Sequence, residues 1–277
     1  MELPHLRSRQ PSHHGQHVKM GSYIDLRGHQ VFSYQWPHDG EAVVLLHGGL
    51  SQTSHWDTYV LPALEDSFNV FGYDRTGHGF TGDQEGSFHF DFQRDEAIAY
   101  LEDVVKEPAH LIGASDGAII ALMVAIKRPD LVKSIVSIAG NYHHSGIYPM
   151  PDFDGNVEQE NRDEYAVTSP DAPHTLDEKI RKMYKIWNHE PTIPVSDVAT
   201  IQCPVLVMAG DDDVVRHEHT IDLYEKLPLG QLAIIPGTSH ASIKEKPALM
   251  QTMINDFLND LSYPITRMPY KRTNPTT

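Results

Sequence analysis

A run of five residues, Gly113-Ala114-Ser115-Asp116-Gly117, constrains the fold of this chain more strongly than any other feature. It follows a short apolar run and leads directly into an apolar, alanine-rich run, so it predicts a sharp turn between a strand and a helix. A serine in such a turn has a strained backbone, and its flanking positions must be nearly free of side chains, as the two glycines are. The turn lifts the Ser115 hydroxyl above the end of the strand, in the position of a nucleophile.

Apolar strands and helices alternate along most of the chain. The strands are nearly continuous apolar runs, which is typical of a parallel sheet covered by helices on both faces. A hairpin over residues 22–36 is expected to form an antiparallel edge. The predicted fold class is therefore α/β, with a doubly wound, mostly parallel sheet that binds ligands beyond the carboxyl ends of its strands. Further strands are predicted at 42–46, 69–73, 109–112, 132–140, 204–210 and 231–235, and helices near 56–64, 90–105, 217–227 and 247–261.

The alternation stops at residues 141–198, which are rich in proline and acidic residues and contain one amphipathic helix, predicted at 176–189. A long irregular segment inside a compact domain is usually functional, so we interpret this one as a helical lid inserted into the fold. The other boundaries are an α/β core made of residues 21–140 and 199–261, and flexible tails at 1–20 and 262–277.

The net charge and the composition limit the kinds of molecule that this chain is expected to bind. Lys plus Arg number 22 against 38 Asp plus Glu, and the net charge of −16 opposes binding to nucleic acid or to an anionic membrane. Neutral or cationic small molecules remain as partners. Because the chain has no apolar run of membrane-spanning length, no secretory signal at its polar start and a single cysteine, Cys203, we expect a cytoplasmic protein.

A serine nucleophile needs a base and an acid that orients the base, and the sequence offers both after strands. His240 lies in a loop directly after the strand at 231–235, and Asp213 follows the strand at 204–210. We predict a catalytic triad of Ser115, His240 and Asp213. Asp211 and Asp212 are the alternatives for the acid, and Asp213 is favoured because the residues before it can form a turn that directs its side chain toward His240.

Two backbone N–H groups are needed to stabilise the oxyanion of a tetrahedral intermediate. One is predicted to be that of Asp116, at the start of the helix, where the free N–H groups and the helix dipole favour negative charge. The other is assigned to Gly49, with Leu50 as the second choice, because paired glycines leave the backbone open to a substrate. His47 is interpreted as a residue that braces this loop.

Five motifs occur within residues 23–261: His47-Gly48-Gly49, Asp74-Arg75-Thr76-Gly77-His78-Gly79, Gly113-Ala114-Ser115-Asp116-Gly117, Gly210-Asp211-Asp212-Asp213 and the His240 loop. With them the chain resembles the α/β-hydrolase superfamily, in which the triad follows the order Ser, Asp, His. The resemblance implies the α/β-hydrolase fold and a hydrolase activity without a cofactor.

A closer resemblance concerns the acidic residue after the nucleophile. The Ser-Asp-Gly turn and the segment Phe90-Asp91-Phe92-Gln93-Arg94-Asp95 are similar to those of biphenyl-hydrolase-like proteins, among them valacyclovir hydrolases. The resemblance implies that Asp116 binds the α-amino group of an amino-acid ester. A carboxylate beside a developing oxyanion otherwise repels it, unless the side chain points away or a cation neutralises it. The alternative is that Asp116 only stabilises the first helical turn.

The remaining candidates concern substrate contacts and metals. We predict that Asp116, Leu50 and Trp187 contact the substrate. Further candidates for the pocket are Tyr184, His189, His143 and His144 of the lid, and ordinary packing of the lid explains its aromatic residues equally well. The acidic run at 152–164 is interpreted as a solvated face that can also attract cations. No metal site is predicted: His13 and His17 have the i, i+4 spacing of a metal site but no helix signal around them, and the i, i+2 spacing of His217 and His219 points their side chains apart on a helix.

These features predict a serine hydrolase that cleaves a small ester, such as an α-amino-acid ester, through an acyl-enzyme. The same triad serves lactone, amide, thioester or carbon–carbon bond hydrolysis, and the sequence does not choose among them. A ligand-binding receptor of the same fold is the alternative from another functional class.

Overall fold

The computed structural model describes residues 20–64 and 66–263. The pair His13 and His17, nearly all of the predicted tail at 1–20 and most of the tail at 262–277 lie outside the described residues. Within the described ranges, none of the helices combines the length and apolar character needed to cross a bilayer.

The described residues form one eight-stranded sheet with the order β1-β2-β4-β3-β5-β6-β7-β8. The predicted hairpin at the edge is confirmed: β1 and β2 pair antiparallel, and β2 pairs antiparallel with β4. All remaining pairs are parallel, which confirms the mostly parallel α/β class. The strands are β1 (Met20–Leu26), β2 (His29–Trp36), β3 (Ala42–Leu46), β4 (Asn69–Tyr73), β5 (Ala109–Ala114), β6 (Val132–Ile138), β7 (Val205–Asp212) and β8 (Gly230–Ser239).

Helices cover both faces of the sheet, and buried apolar side chains form one cluster on each side. This is the arrangement that the apolar strands predicted, since a central parallel strand must bury both of its faces. The helices are α1 (Trp56–Tyr59), α2 (Phe90–Tyr100), α3 (Asp116–Lys127), α4 (Gln159–Thr168), α5 (Leu176–Trp187), α6 (Val195–Val198), α7 (His217–Lys226), α8 (Ser242–Glu245) and α9 (Pro247–Asn259).

Several predicted elements have different bounds in the structure, and in two of them the difference lies at a proline. The helix predicted at 56–64 is wrong in length: α1 covers four residues and a 3₁₀ turn follows at 61–63. Pro62 explains the break, because it has no N–H to continue the helical hydrogen bonds. Strand β8 runs on to Ser239 instead of ending at 235. It is an edge strand, and an edge tolerates Pro236 because one side of the strand needs no partner.

The inserted segment contributes α4, α5 and α6, and it contacts the loops at the carboxyl ends of the strands. Helix α5 buries its apolar side against the core, with Met183 fully buried. Lys179 on the same helix is also buried, and its ammonium donates to the carbonyl of Gly77 in the loop after β4. The segment is thereby attached directly above the ligand-binding edge of the sheet.

The turn between β5 and α3 has the strained geometry that its glycines predicted. Ser115 has φ 52° and ψ −117°, which is unusual for a residue with a side chain. A Cβ at Gly113 would lie 2.2 Å from the carbonyl oxygen of Gly117, and a Cβ at Gly117 would lie 1.8 Å from that of Leu46. Only glycine fits at either position.

We therefore expect Gly117→Ala to lower the free energy of unfolding by roughly 1–3 kcal/mol, because β3 and α3 must move apart to admit the methyl group. Urea unfolding followed by circular dichroism measures this loss. Gly82→Ala is the matched control, since its Cβ would meet nothing closer than 3.5 Å. Equal stability of Gly117→Ala and the wild type would show that the close approach is not a constraint.

Candidate active site

The carboxyl ends of three strands bring Ser115, Asp213 and His240 together. Ser115 follows β5, Asp213 follows β7 and His240 follows β8. The Nε2 atom of His240 lies 3.0 Å from Ser115 Oγ, and its Nδ1 atom lies 2.7 Å from Asp213 Oδ1. The three side chains form a continuous hydrogen-bonded relay from hydroxyl to imidazole to carboxylate.

The carboxylate sets the tautomer of the imidazole. A carboxylate only accepts, so His240 Nδ1–H donates to Asp213, and Nε2 of the neutral ring is left as the acceptor for the Ser115 hydroxyl. Burial raises the pKa of Asp213, but the hydrogen bond and charge of His240, with the N–H groups of Val215 and Gly210, outweigh it and hold that pKa below its usual value. Asp213 is therefore a fixed anion.

Asp211 and Asp212, the last two residues of β7, lie outside the relay. Asp211 accepts the N–H of Thr238 through Oδ1, at 2.9 Å. Asp212 is exposed at the end of β7. Of the three adjacent carboxylates, Asp213 is the one hydrogen-bonded to the imidazole.

The peptide between Gly48 and Gly49 is held by two donors on its carbonyl side. His47 Nδ1–H and Arg75 Nη2–H both donate to the oxygen of Gly48, each at 2.8 Å. His47 Nε2 accepts the N–H of Arg75, and burial, followed by the nearby Arg75 charge, holds the pKa of His47 well below its ordinary value. In a trans peptide the C=O and the following N–H point in opposite directions. The Gly49 N–H is therefore turned away from the buried side, and His47 braces the loop.

The side chain of Asp116 is buried and already has protein partners. Its Oδ1 accepts from Trp187 Nε1 at 2.8 Å, and its Oδ2 lies 3.7 Å from Arg75 Nη2. Burial raises the pKa of Asp116, and the charge of Arg75 and the Trp187 hydrogen bond oppose that rise. Arg75 is therefore the cation that neutralises the Asp116 carboxylate, a role that the sequence analysis assigned to a cationic substrate. Among the described residues, Oδ2 has no hydrogen-bond donor.

A cavity of about 440 Å³ opens onto Ser115 and His240, and its wall includes Gly49, Asp116 and Trp187. Most of the rest of the wall is apolar. A larger cavity of about 670 Å³ lies between α2, α3 and residues 189–197, and Ser115 is not part of its wall.

The structure corrects several predicted pocket contacts. Leu50 has φ 53° and lines a neighbouring cavity of about 170 Å³ instead of this one. His189 lines the larger cavity, and His143 and His144 stack on each other outside the catalytic wall. Tyr184 packs on the rings of Phe153 and Trp187, and it too is absent from this wall.

The described residues hold no cluster of three or more side chains suited to a metal ion. His217 contacts the carbonyl of Gly210, and His219 accepts the N–H of Tyr142. The two histidines therefore have separate surroundings.

Two features of the site were missed by the sequence analysis. Arg75, the second residue after β4, was quoted only as part of a motif, and its burial beside Asp116 was not predicted. The contact between His55 Nε2 and Glu164 Oε1, at 2.9 Å, joins residues that lie 109 positions apart in the chain. No local pattern predicts such a contact.

Comparison with known proteins identifies the family of this chain. Residues 43–250 match the family model described as the alpha/beta hydrolase family. The chain belongs to that family. It is 26% identical over 245 residues to the Karrikin insensitive 2 receptor CA of Petunia hybrida, covering 84% of this chain and 79% of the receptor.

Two further proteins are similar over most of their length. The putative carbamate hydrolase RutD of Pseudomonas savastanoi pv. phaseolicola is 24% identical, covering 83% of this chain and 98% of RutD. The meta-cleavage product hydrolase CumD of Pseudomonas fluorescens IP01 superposes with a TM-score of 0.68 at 21% identity, covering 87% and 98% of the two chains. That likeness confirms the fold, and the family is one of hydrolases.

The pairing of Arg75 with Asp116 leads to a stability prediction. Arg75→Met leaves the carboxylate buried without its cation, so the free energy of unfolding should fall by about 3–5 kcal/mol. Adding Asp116→Asn removes that charge and keeps an acceptor for Trp187, so the double variant should be more stable than Arg75→Met alone. Urea unfolding of the four proteins gives the coupling energy. Purely additive effects would contradict the pairing.

The same pair predicts a pH dependence. Burial raises the pKa of Asp116 even beside Arg75, and without the guanidinium the rise is larger. The folded Arg75→Met protein then binds more protons than the unfolded chain, so its deficit in stability should shrink as the pH falls through the raised pKa of Asp116. Unfolding free energies of wild type and variant across pH measure the deficit. A deficit that stays constant or grows toward acid pH would be inconsistent with a buried, uncompensated carboxylate.

Proposed function

We propose that this chain is a serine hydrolase that cleaves a small neutral ester through an acyl-enzyme. The observation that carries the proposal is the relay of Ser115, His240 and Asp213, with contacts of 3.0 Å and 2.7 Å at the wall of one cavity. A serine hydroxyl is a weak nucleophile, and an oriented imidazole is the group that activates it. The strained turn at Ser115 supports the same role.

In the proposed reaction, Ser115 Oγ attacks the ester carbonyl carbon while its proton passes to His240 Nε2. The carbonyl oxygen becomes an oxyanion that accepts from the N–H groups of Gly49 and Asp116, and the imidazolium is stabilised by the Asp213 carboxylate. The C–O bond to the alcohol then breaks, and the alcohol takes the proton from His240. Water adds to the acyl-enzyme by the same steps, with His240 as base and then as acid, and the carboxylic acid leaves.

The size and polarity of the cavity support a small substrate. A volume of about 440 Å³ lies at the lower end of the range for small-molecule sites, and apolar wall residues such as Ile138, Ile147 and Val215 suit an uncharged acyl or alcohol chain. The net charge of −16 disfavours nucleic acid and anionic membranes as partners. The single cysteine fits our further proposal of a cytoplasmic location.

The names of the similar proteins indicate the alternatives to ester hydrolysis. A carbamate hydrolase and a meta-cleavage product hydrolase are among them, so the same relay is also a candidate for an amide-like bond, a lactone or a carbon–carbon bond. The similarity to a karrikin receptor supports a receptor as the second candidate. Turnover separates them, because a receptor gives one stoichiometric burst of product and an enzyme gives sustained release.

Ser115→Ala should prevent labelling by a fluorophosphonate probe and lower kcat for p-nitrophenyl butyrate by a factor on the order of 10⁶. Asp213→Asn should lower kcat about 10⁴-fold, because the wrong imidazole tautomer is then favoured. Ser196→Ala, at an exposed serine, is the control and should retain both labelling and turnover. Undiminished turnover by Ser115→Ala would refute the proposed nucleophile.

The role of Asp116 is tested with matched substrates. Because Arg75 already pairs with Asp116, we expect Asp116→Asn to raise KM equally for p-nitrophenyl esters of an amino acid and of the corresponding des-amino acid. Steady-state kinetics on the two esters measure the ratio. A rise in KM confined to the aminoacyl ester would instead assign Asp116 to binding of an α-amino group.

A further inference from the structure

A second relay of hydroxyl, imidazole and carboxylate lies beside the first. Ser51 Oγ is 3.0 Å from His55 Nδ1, and His55 Nε2 is 2.9 Å from Glu164 Oε1. Ser51 and His55 come from the segment after β3, whereas Glu164 comes from α4 of the inserted segment. Glu164 also accepts from Gln52 Nε2 at 2.8 Å, so its carboxylate is held by two donors from the core.

Ser51 and His55 both line the catalytic cavity, and with Glu164 they also line the adjacent cavity of about 170 Å³. Two other polar side chains on the catalytic wall have protein partners. Asn141 donates to a backbone carbonyl, and Glu190 accepts from His89 and a backbone N–H. Ser51 is therefore a polar group on this wall that the proposed triad and oxyanion hole do not use.

The proton positions follow from the carboxylate. Glu164 only accepts, so His55 Nε2–H donates to it, and Nδ1 of the neutral ring accepts the Ser51 hydroxyl proton. The Ser51 oxygen is left with lone pairs and no free proton. In a mostly apolar cavity such a group accepts from a donor on the ligand, and the chained hydrogen bonds strengthen its acceptor character.

The position along the chain places this acceptor near the reacting carbonyl. Ser51 follows Gly49 by two residues, so their Cα atoms are at most about 7.6 Å apart. The same segment also lies close to the nucleophile, since a Cβ at Gly48 would lie 3.4 Å from that of Ser115. A group only a few bonds from the scissile carbonyl can therefore reach Ser51.

We propose that Ser51, oriented by His55 and Glu164, is a specificity-determining acceptor for a hydroxyl or N–H group that the substrate carries a few bonds from its scissile carbonyl. This inference rests on the proposed function and names the substrate class: small esters that bear a hydrogen-bond donor on the acyl or the alcohol side. A site built to accept such a donor discriminates against the analogue that lacks it, because its own polar group is then left unpaired.

The test uses two pairs of near-isosteric esters. On the acyl side, p-nitrophenyl 3-hydroxybutyrate is compared with p-nitrophenyl 3-methylbutyrate, and on the alcohol side 2-hydroxyethyl butyrate is compared with propyl butyrate. We expect the wild type to favour the hydroxylated ester of at least one pair about tenfold in kcat/KM. Ser51→Ala should reduce that ratio to about one, and His55→Phe should also lower it, whereas Ser51→Thr keeps the hydroxyl and should keep the preference.

Ser54→Ala is the matched control, since Ser54 lies on the same segment but not on the catalytic wall, and it should leave the ratio as in the wild type. Cleavage of all four esters without a preference in the wild type, or a preference that survives Ser51→Ala, would overturn the inference and leave the proposed hydrolase intact. Failure to cleave any of the four, or equal cleavage by Ser115→Ala, would overturn the proposed function itself.

Discussion

One fully buried guanidinium, that of Arg75, connects the main parts of the candidate site. It donates to the carbonyl of Gly48 and lies 3.7 Å from the carboxylate of Asp116. The first contact holds the carbonyl of the peptide whose N–H we propose for the oxyanion hole, and the second permits a carboxylate at the start of the helix that follows Ser115. Burying an unpaired ion costs several kcal/mol, so Arg75 and Asp116 stabilise the fold only as a pair. Through Asp116 the same pair also holds Trp187 of the inserted segment.

The sheet and the proximity of Ser115, Asp213 and His240 were predictable because their signals are local. Apolar runs mark buried parallel strands, and glycines 113 and 117 mark a turn that no other residue can make. Ser115, Asp213 and His240 each follow a strand directly, and in a parallel sheet the carboxyl ends of strands share one edge. A local pattern was therefore enough to propose three residues that are distant in the chain.

The wall of the cavity was less predictable, because it depends on contacts across the fold. The sequence showed a carboxylate at Asp116 but not that Arg75, on a different loop, is the cation that pairs with it. Leu50 was predicted to contact the substrate because it follows Gly49, but in the structure it lines the neighbouring cavity. Glu164 lies in an acidic run that resembles a solvated face, yet it bonds to Gln52 and His55 of the core.

The inserted segment completes the site from above. Trp187 on α5 donates a hydrogen bond to the core, Glu164 on α4 accepts one from it, and Lys179 anchors the segment at Gly77. The residues proposed for the triad therefore lie in the core, whereas the residues proposed to select the substrate lie where the core contacts the inserted segment. This division fits a family in which one fold carries different specificities.

The proposed mechanism requires that Ser115 attacks a carbonyl whose oxygen then accepts from the N–H groups of Gly49 and Asp116. A crystal structure of the protein with phenylboronic acid, a mimic of the tetrahedral intermediate, is the decisive measurement. We predict a bond between boron and Ser115 Oγ, with one boron-bound oxygen within about 3 Å of both nitrogens. A boron bound to another residue, or an oxygen turned away from both N–H groups, would refute the mechanism.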